Sequence, residues 1–101
     1  MLPFDDEAAP LYTVGQVASM LGVQPAFLRR LDTEQVVTPA RSDGGQRRYS
    51  RAEIATVQQV WSMAGEGMTL PGIRRILSLE AEVADLRRQL DAARGSRRPK
   101  G

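Results

Sequence analysis

The chain has 101 residues, with 14 Lys and Arg side chains against 12 Asp and Glu, and 42% of its residues are hydrophobic. This length allows one small domain with a protruding element, and the hydrophobic fraction predicts a packed core rather than a disordered chain. Cysteine and histidine do not occur, which excludes disulfides, thiol redox chemistry, Cys/His zinc sites and His-based catalytic triads. We therefore expect no metal and no cofactor. Because no long apolar run and no signal peptide are present, we expect a cytoplasmic protein that does not enter the membrane.

The N-terminal part predicts an acidic leader followed by two short helices. Residues 1–11 carry three consecutive acids between two prolines, and we expect them to be disordered. Thr13 and Gln16 have the spacing of a capping box, which starts a first helix. Gly22 ends that helix and Pro25 opens a second one. Two helices joined by such a short turn predict a helix-turn-helix unit.

A short hairpin and two further helices complete the predicted domain. Val36 to Pro39 is β-prone, and Asp43 to Gly45 favours a tight turn because glycine accepts a positive φ. These pieces predict a two-stranded wing. Ser50 and Thr69 are N-cap residues for a third and a fourth helix. We expect a mainly α, winged helix-turn-helix domain over residues 12–75.

The C-terminal part carries a heptad pattern. Apolar residues recur at alternating spacings of three and four over residues 76–94, which predicts a coiled-coil helix. We expect this seam to meet its own copy in a homodimer, and so few heptads leave parallel and antiparallel pairing open. Residues 95–101 are polar and basic, and we expect a disordered tail. The predicted dimerisation residues are Ile76, Leu79, Val83, Leu86, Leu90 and Ala93.

Basic residues concentrate on the second helix and on the wing. Residues 24–51 hold six arginines against three acids, a local charge of +3 that exceeds the +2 of the whole chain. In helix-turn-helix proteins the second helix enters the major groove, and a neighbouring wing can contact the phosphate backbone. The pattern therefore predicts a protein that binds double-stranded DNA, provided that both sets of guanidinium groups point the same way.

The order and spacing of these motifs resemble the DNA-binding domain of the MerR family of transcriptional regulators. The resemblance covers about residues 11–90. The run GMTLPGIRRILSLEAEVADLRRQL is similar to the heat-shock-repressor (HspR-type) branch, in which this helix continues into a short coiled coil. The residues that match the family pattern are Gly22, Val23, Leu28, Arg29, Asp32, Pro39, Arg41, Gly45, Arg47, Arg48, Tyr49 and Ser50.

The resemblance implies a sequence-specific repressor that binds an inverted-repeat operator as a homodimer, with a DnaK-type chaperone as co-repressor. It implies that Arg29 contacts a base or the backbone and that the wing arginines grip phosphates. Tyr49 either contacts a phosphate or packs under the wing as a core residue. The N–H groups that open the first helix would face a phosphate. The predicted DNA-binding residues are Val14, Gly15, Gln24, Arg29, Arg30, Arg41, Arg47, Arg48 and Tyr49.

Four positions depart from the family pattern. Arg30 and Leu31 replace residues that are commonly aromatic or Gln, and Ala26 replaces a basic or amide side chain. Gln35 lies where a glycine normally ends the recognition helix. These departures leave the operator sequence open.

Other classes of protein remain as alternatives. An excisionase-like or architectural DNA-binding protein shares the winged unit but usually lacks a dimer helix. A small MerR-type developmental regulator and a pure coiled-coil interaction protein also fit the pattern. An enzyme is disfavoured, because the carboxylates of Asp32, Glu34 and Asp43 have no His, Cys or convincing pocket beside them.

Overall fold

A computed structural model of the chain describes residues 6–97. Within them the chain forms four helices and a three-stranded antiparallel sheet, which confirms the predicted mainly α winged architecture. None of these helices is both long and apolar enough to cross a membrane. Leader residues 1–5 and tail residues 98–101 lie outside the described residues. The elements are β1 (Tyr12–Thr13), α1 (Val14–Leu21), α2 (Pro25–Thr33), β2 (Ala40–Arg41), β3 (Arg47–Tyr49), α3 (Arg51–Gly65) and α4 (Leu70–Arg97).

The helix-turn-helix unit forms as the capping signals predict. The Thr13 hydroxyl oxygen accepts from the Gln16 N–H at 3.1 Å, and the Gln16 amide oxygen accepts from the Thr13 N–H at 2.9 Å. Gly22 ends α1 with a φ of 66°, a conformation that glycine adopts without a steric penalty. Pro25 is the first residue of α2, where its missing N–H has no helical partner to lose.

The wing differs from the predicted two-stranded hairpin, because β1 adds a third strand in the order β1-β3-β2. The β-prone residues Val36 and Val37 do not join this sheet. Their N–H groups donate to the Leu31 carbonyl at 2.8 and 3.3 Å, so they satisfy the end of α2 instead of a strand ladder. Gln35 makes this reversal with a φ of 59°. After α2, the chain therefore returns to the sheet only at Ala40.

The two later caps also form, but α4 is longer than predicted. Ser50 and Glu53 make a capping box with distances of 2.9 and 3.0 Å, and the Thr69 hydroxyl oxygen accepts from the Gly72 N–H at 3.2 Å. The predicted fourth helix and the coiled-coil helix are one continuous helix. Gly95, the first residue of the predicted disordered tail, lies inside α4, because one glycine costs a helix only about 1 kcal/mol.

Residues 6–11, the described part of the predicted leader, make backbone hydrogen bonds with the domain. The Glu7 carbonyl accepts from the Ala52 N–H at 3.1 Å, and the Leu11 N–H donates to the Tyr49 carbonyl at 3.1 Å. Ala52 lies in the first turn of α3, where backbone N–H groups have no helical partner. The leader therefore satisfies the start of α3 and extends the pairing of β1 with β3.

The core lies where α1, α2, α3 and the first turns of α4 meet under the wing. It is almost entirely aliphatic, and one tyrosine of β3 reaches into it. This packing fixes α1, α2 and the wing relative to one another. The largest fully buried side chains are Tyr49, Leu28, Leu31, Ile73, Val17, Val57 and Val60.

Candidate nucleic-acid interface

A basic cleft of about 390 Å³ lies between the start of α1, one side of α2 and the wing. It joins backbone N–H groups and arginines from three separate segments of the chain. The structure therefore brings Arg29 of α2 to the same face as the three wing arginines, whereas Arg30 does not line the cleft. The residues that line the basic cleft are Thr13, Val14, Gly15, Arg29, Arg41, Gly45, Gln46, Arg47 and Arg48.

The start of α1 supplies the uncharged part of the cleft. Thr13 caps the Gln16 N–H, and Gly15 is the second residue of α1, where a backbone N–H has no partner within the helix. Free N–H groups and the positive end of the helix dipole attract anions. A Cβ built on Gly15 would meet only the Thr13 hydroxyl oxygen, at 3.9 Å. A ligand could therefore approach the backbone closely here without competition from a side chain.

Arg29 extends into the cleft from α2. Its side chain is exposed, and it makes no ion pair with the acids that the structure describes. An unpaired guanidinium beside the start of a helix offers donors to a phosphate or a guanine base. The contact of Arg29 with a base or the DNA backbone, which the resemblance implies, stays a prediction.

The wing arginines differ in their partners. Arg41 and Arg47 face each other across β2 and β3, and both bind one oxygen of Asp32, at 2.9 and 2.6 Å. Arg48 pairs in register with Thr13 and donates to the Gln46 amide oxygen at 3.4 Å and to the Arg47 carbonyl at 3.2 Å. Of the three, Arg48 is therefore the one without a carboxylate partner among residues 6–97.

The three other predicted DNA-binding residues do not line this cleft: Gln24, Arg30 and Tyr49. Gln24 is exposed at the N-cap of α2 and makes no capping bond with its side chain. Arg30 is exposed on α2 and pairs with Glu34 at 2.7 Å.

Tyr49, which was expected either to contact a phosphate or to pack under the wing, is buried in β3. Its side chain is only 1% exposed, and its hydroxyl has no hydrogen-bond partner among the described residues. Burial raises the pKa of the Tyr49 hydroxyl above its ordinary value, with the charges of Arg47 and Asp32 as smaller and opposing effects. This burial favours the second of the two predicted roles, in which Tyr49 packs under the wing.

The structure adds one basic surface that sequence reasoning missed. Arg74 of α4 donates to the Glu34 carbonyl at 3.3 Å, which places it at the end of α2. Together with Pro71, Arg75 and Ser78 it lines a second depression of about 440 Å³. In the sequence these arginines look like the polar face of an amphipathic helix, and no local signal places them beside α2.

The predicted dimerisation seam is exposed along α4. The exposed fractions are 41% for Leu79, 44% for Val83, 55% for Leu86 and 49% for Leu90. Ile76, at the start of the seam, is half-buried, and Ala93 is exposed. A run of aliphatic side chains at heptad spacing on a protruding helix is typical of a surface that pairs with another helix.

The chain is similar to known helix-turn-helix regulators. A family model described as the MerR HTH family regulatory protein matches residues 12–80. The chain is 40% identical over 81 residues to the putative heat shock protein HspR of Streptomyces coelicolor, a match that covers 79% of this chain and 54% of that protein. It is 30% identical over 71 residues to the HTH-type transcriptional regulator MlrA of Escherichia coli, covering 69% of this chain and 29% of that protein. The chain thus spans about half or less of the length of these two relatives.

Solved structures agree on the fold. The N-terminal part of MtaN, the Bacillus subtilis multidrug transporter activator, superposes with a TM-score of 0.62 at 26% identity, covering 84% of this chain and 92% of that one. A MerR family regulator without a sensor domain, HiNmlR bound to promoter DNA, gives a TM-score of 0.60 at 23% identity, covering 84% and 86%. At this identity, the similarity to HiNmlR supports the fold only.

Proposed function

The chain belongs to the MerR family of helix-turn-helix regulatory proteins, and from that premise we propose that it is a homodimeric repressor that binds an inverted-repeat operator in double-stranded DNA. The observation that carries this proposal is the basic cleft. The start of α1, the unpaired Arg29 of α2 and Arg48 of the wing converge there from three segments. Such a set of donors suits the phosphates that border a groove occupied by α2.

The exposed seam of α4 supports the dimer. Its four large aliphatic residues are each about half exposed in the single chain, and pairing with a second α4 would remove them from water. A two-fold dimer carries two recognition helices related by symmetry, and so the matching operator is an inverted repeat.

The direction of regulation is proposed from similarity. The chain resembles a protein named as a putative heat shock protein HspR over 79% of its length. We infer a repressor of heat-shock type, located on the nucleoid in the cytoplasm, with a DnaK-type chaperone as its co-repressor. Sites recovered upstream of chaperone genes in a genomic footprint would support this assignment. Sites confined to developmental or metabolic genes would replace it with a general small MerR-type regulator.

Two charge-removing variants test the DNA interface. We expect Arg29→Gln and Arg48→Gln each to lower affinity for a duplex selected by the wild-type protein. Each should also reduce the slope of log affinity against log salt by about 0.9, the value for one lost phosphate contact. Arg88→Gln is the matched control, because Arg88 is 71% exposed on α4 and makes only a surface pair with Asp85 at 3.4 Å. If all three variants changed the affinity and the salt slope equally, the loss would reflect net charge alone and would contradict the proposal.

A further inference from the structure

One acidic side chain borders the basic cleft. Asp32 lies in the last turn of α2 and is only 14% exposed at its side chain. Its Oδ2 atom accepts from the Arg47 Nε at 2.6 Å and from the Arg41 Nη2 at 2.9 Å. One carboxylate oxygen of the recognition helix α2 therefore binds both Arg41 of β2 and Arg47 of β3.

This carboxylate compensates two unfavourable arrangements. Arg41 and Arg47 are direct cross-strand partners, and like charges in that position repel each other. An acid in the last turn of a helix also meets the negative end of the helix dipole. The shared contact relieves both. Arg41 also donates to the Gly45 carbonyl at 3.2 Å, so that the contact extends across the wing turn and joins it to α2.

The same contact uses the donors that a phosphate would take. A guanidinium binds a carboxylate and a phosphate through the same N–H groups. The Arg47 side chain is 21% exposed, against 50% for Arg41, and so Arg47 has the less accessible guanidinium. A duplex that meets the wing must compete with Asp32 for these donors.

Building on the proposed DNA binding, we propose that Asp32 determines specificity. It fixes the wing against the recognition helix α2. It also keeps Arg41 and Arg47 from binding the phosphates of DNA of any sequence. Binding to random DNA then depends on fewer contacts, which leaves a larger share of the total affinity to the base contacts of α2.

The test measures salt dependence on random DNA. A fluorescently labelled duplex of random sequence is titrated with wild-type protein, Asp32→Asn and Asp43→Asn by fluorescence anisotropy. We expect Asp32→Asn to bind this duplex more tightly and with a steeper salt slope. One added phosphate contact enlarges the ratio of Kd values at about 200 and 50 mM salt roughly 3.5-fold. Asp43→Asn is the control, because it removes the same charge from an exposed position on the wing turn, and its slope should equal that of the wild type.

Two further measurements address specificity and folding. Selection from a random library should recover a less defined site with Asp32→Asn than with the wild type, and Asp32→Glu should restore the wild-type salt slope. If Asp32→Asn does not fold, the Arg47 Nε–H signal of the wild type is followed by NMR. We expect this signal to keep its position when random duplex is added, because Asp32 still holds the proton.

The outcomes separate this inference from the proposed function. If the wild type binds no duplex, the proposed function fails, and this inference fails with it. If the wild type binds but Asp32→Asn and Asp43→Asn have equal slopes, Asp32 has no such role, although the DNA-binding assignment stands. A shift of the Arg47 Nε–H signal with random duplex would also overturn the inference, since a phosphate would then have displaced Asp32.

Discussion

Replacing Tyr49 with Phe tests whether this side chain supports the wing or contacts DNA. The hydroxyl is buried, with the residue 1% exposed, and it has no hydrogen-bond partner among the described residues. A buried polar group without a partner costs about 1–3 kcal/mol. Tyr49→Phe keeps the ring and removes only this group, so we expect the free energy of unfolding to rise by about 1 kcal/mol. In a domain of this size that corresponds to a rise in Tm of roughly 4–8 °C.

The assay combines urea and thermal unfolding, followed by circular dichroism, with duplex binding by the same preparations. We expect unchanged affinity for DNA, because the hydroxyl lies beneath the wing. A loss of about 1 kcal/mol or more of stability would show that the hydroxyl has a partner after all. A loss of about tenfold in affinity, equivalent to roughly 1.4 kcal/mol, would show that it contacts the duplex.

The same variant has a defined pH dependence. Burial raises the pKa of Tyr49 in the folded chain, whereas an unfolded tyrosine ionises near pH 10. Above about pH 10 the unfolded state therefore loses its proton first, and the fold loses stability as pH rises. We expect Tyr49→Phe to keep more of its stability than the wild type in this range. Parallel alkaline unfolding curves for the two proteins would contradict this reasoning.

Three further substitutions test the start of α1, the end of α2 and the seam of α4. Gly15→Ala should leave the fold intact, because its Cβ has room, yet lower duplex affinity if a phosphate approaches this backbone; unchanged affinity would remove α1 from the interface. Gln35→Gly should raise the free energy of unfolding, measured by urea denaturation, by about 1 kcal/mol, because Gln35 has a φ of 59° and glycine avoids the penalty of about 1–2 kcal/mol for this conformation. Lower stability of the variant would refute this reasoning. Leu86→Asp should halve the mass measured by analytical ultracentrifugation. Thermal unfolding of the domain should stay cooperative, because Leu86 is 55% exposed in the single chain. An unchanged mass would exclude the seam as the dimer contact.

Short-range signals were sufficient for the helical part of the fold. The capping pairs Thr13 with Gln16 and Ser50 with Glu53 form as predicted, because a cap joins residues only three apart and hardly depends on the rest of the chain. Gly22 likewise adopts its left-handed conformation for a local steric reason. The heptad spacing of α4 and the DNA-binding assignment also came from local pattern and motif order.

Tertiary packing decided what each polar group contacts. Nothing near Asp32 in sequence indicates that it binds Arg41 and Arg47, and Arg74 meets the end of α2 from 40 residues away. The burial of Tyr49 and the third strand of the wing have the same origin. Burial and hydrogen bonding depend on which distant segments come together, and that depends on the packing of all the helices at once. The sequence therefore determined the helices and the character of the surface, whereas the tertiary structure decided which arginines are free to bind and which are already held.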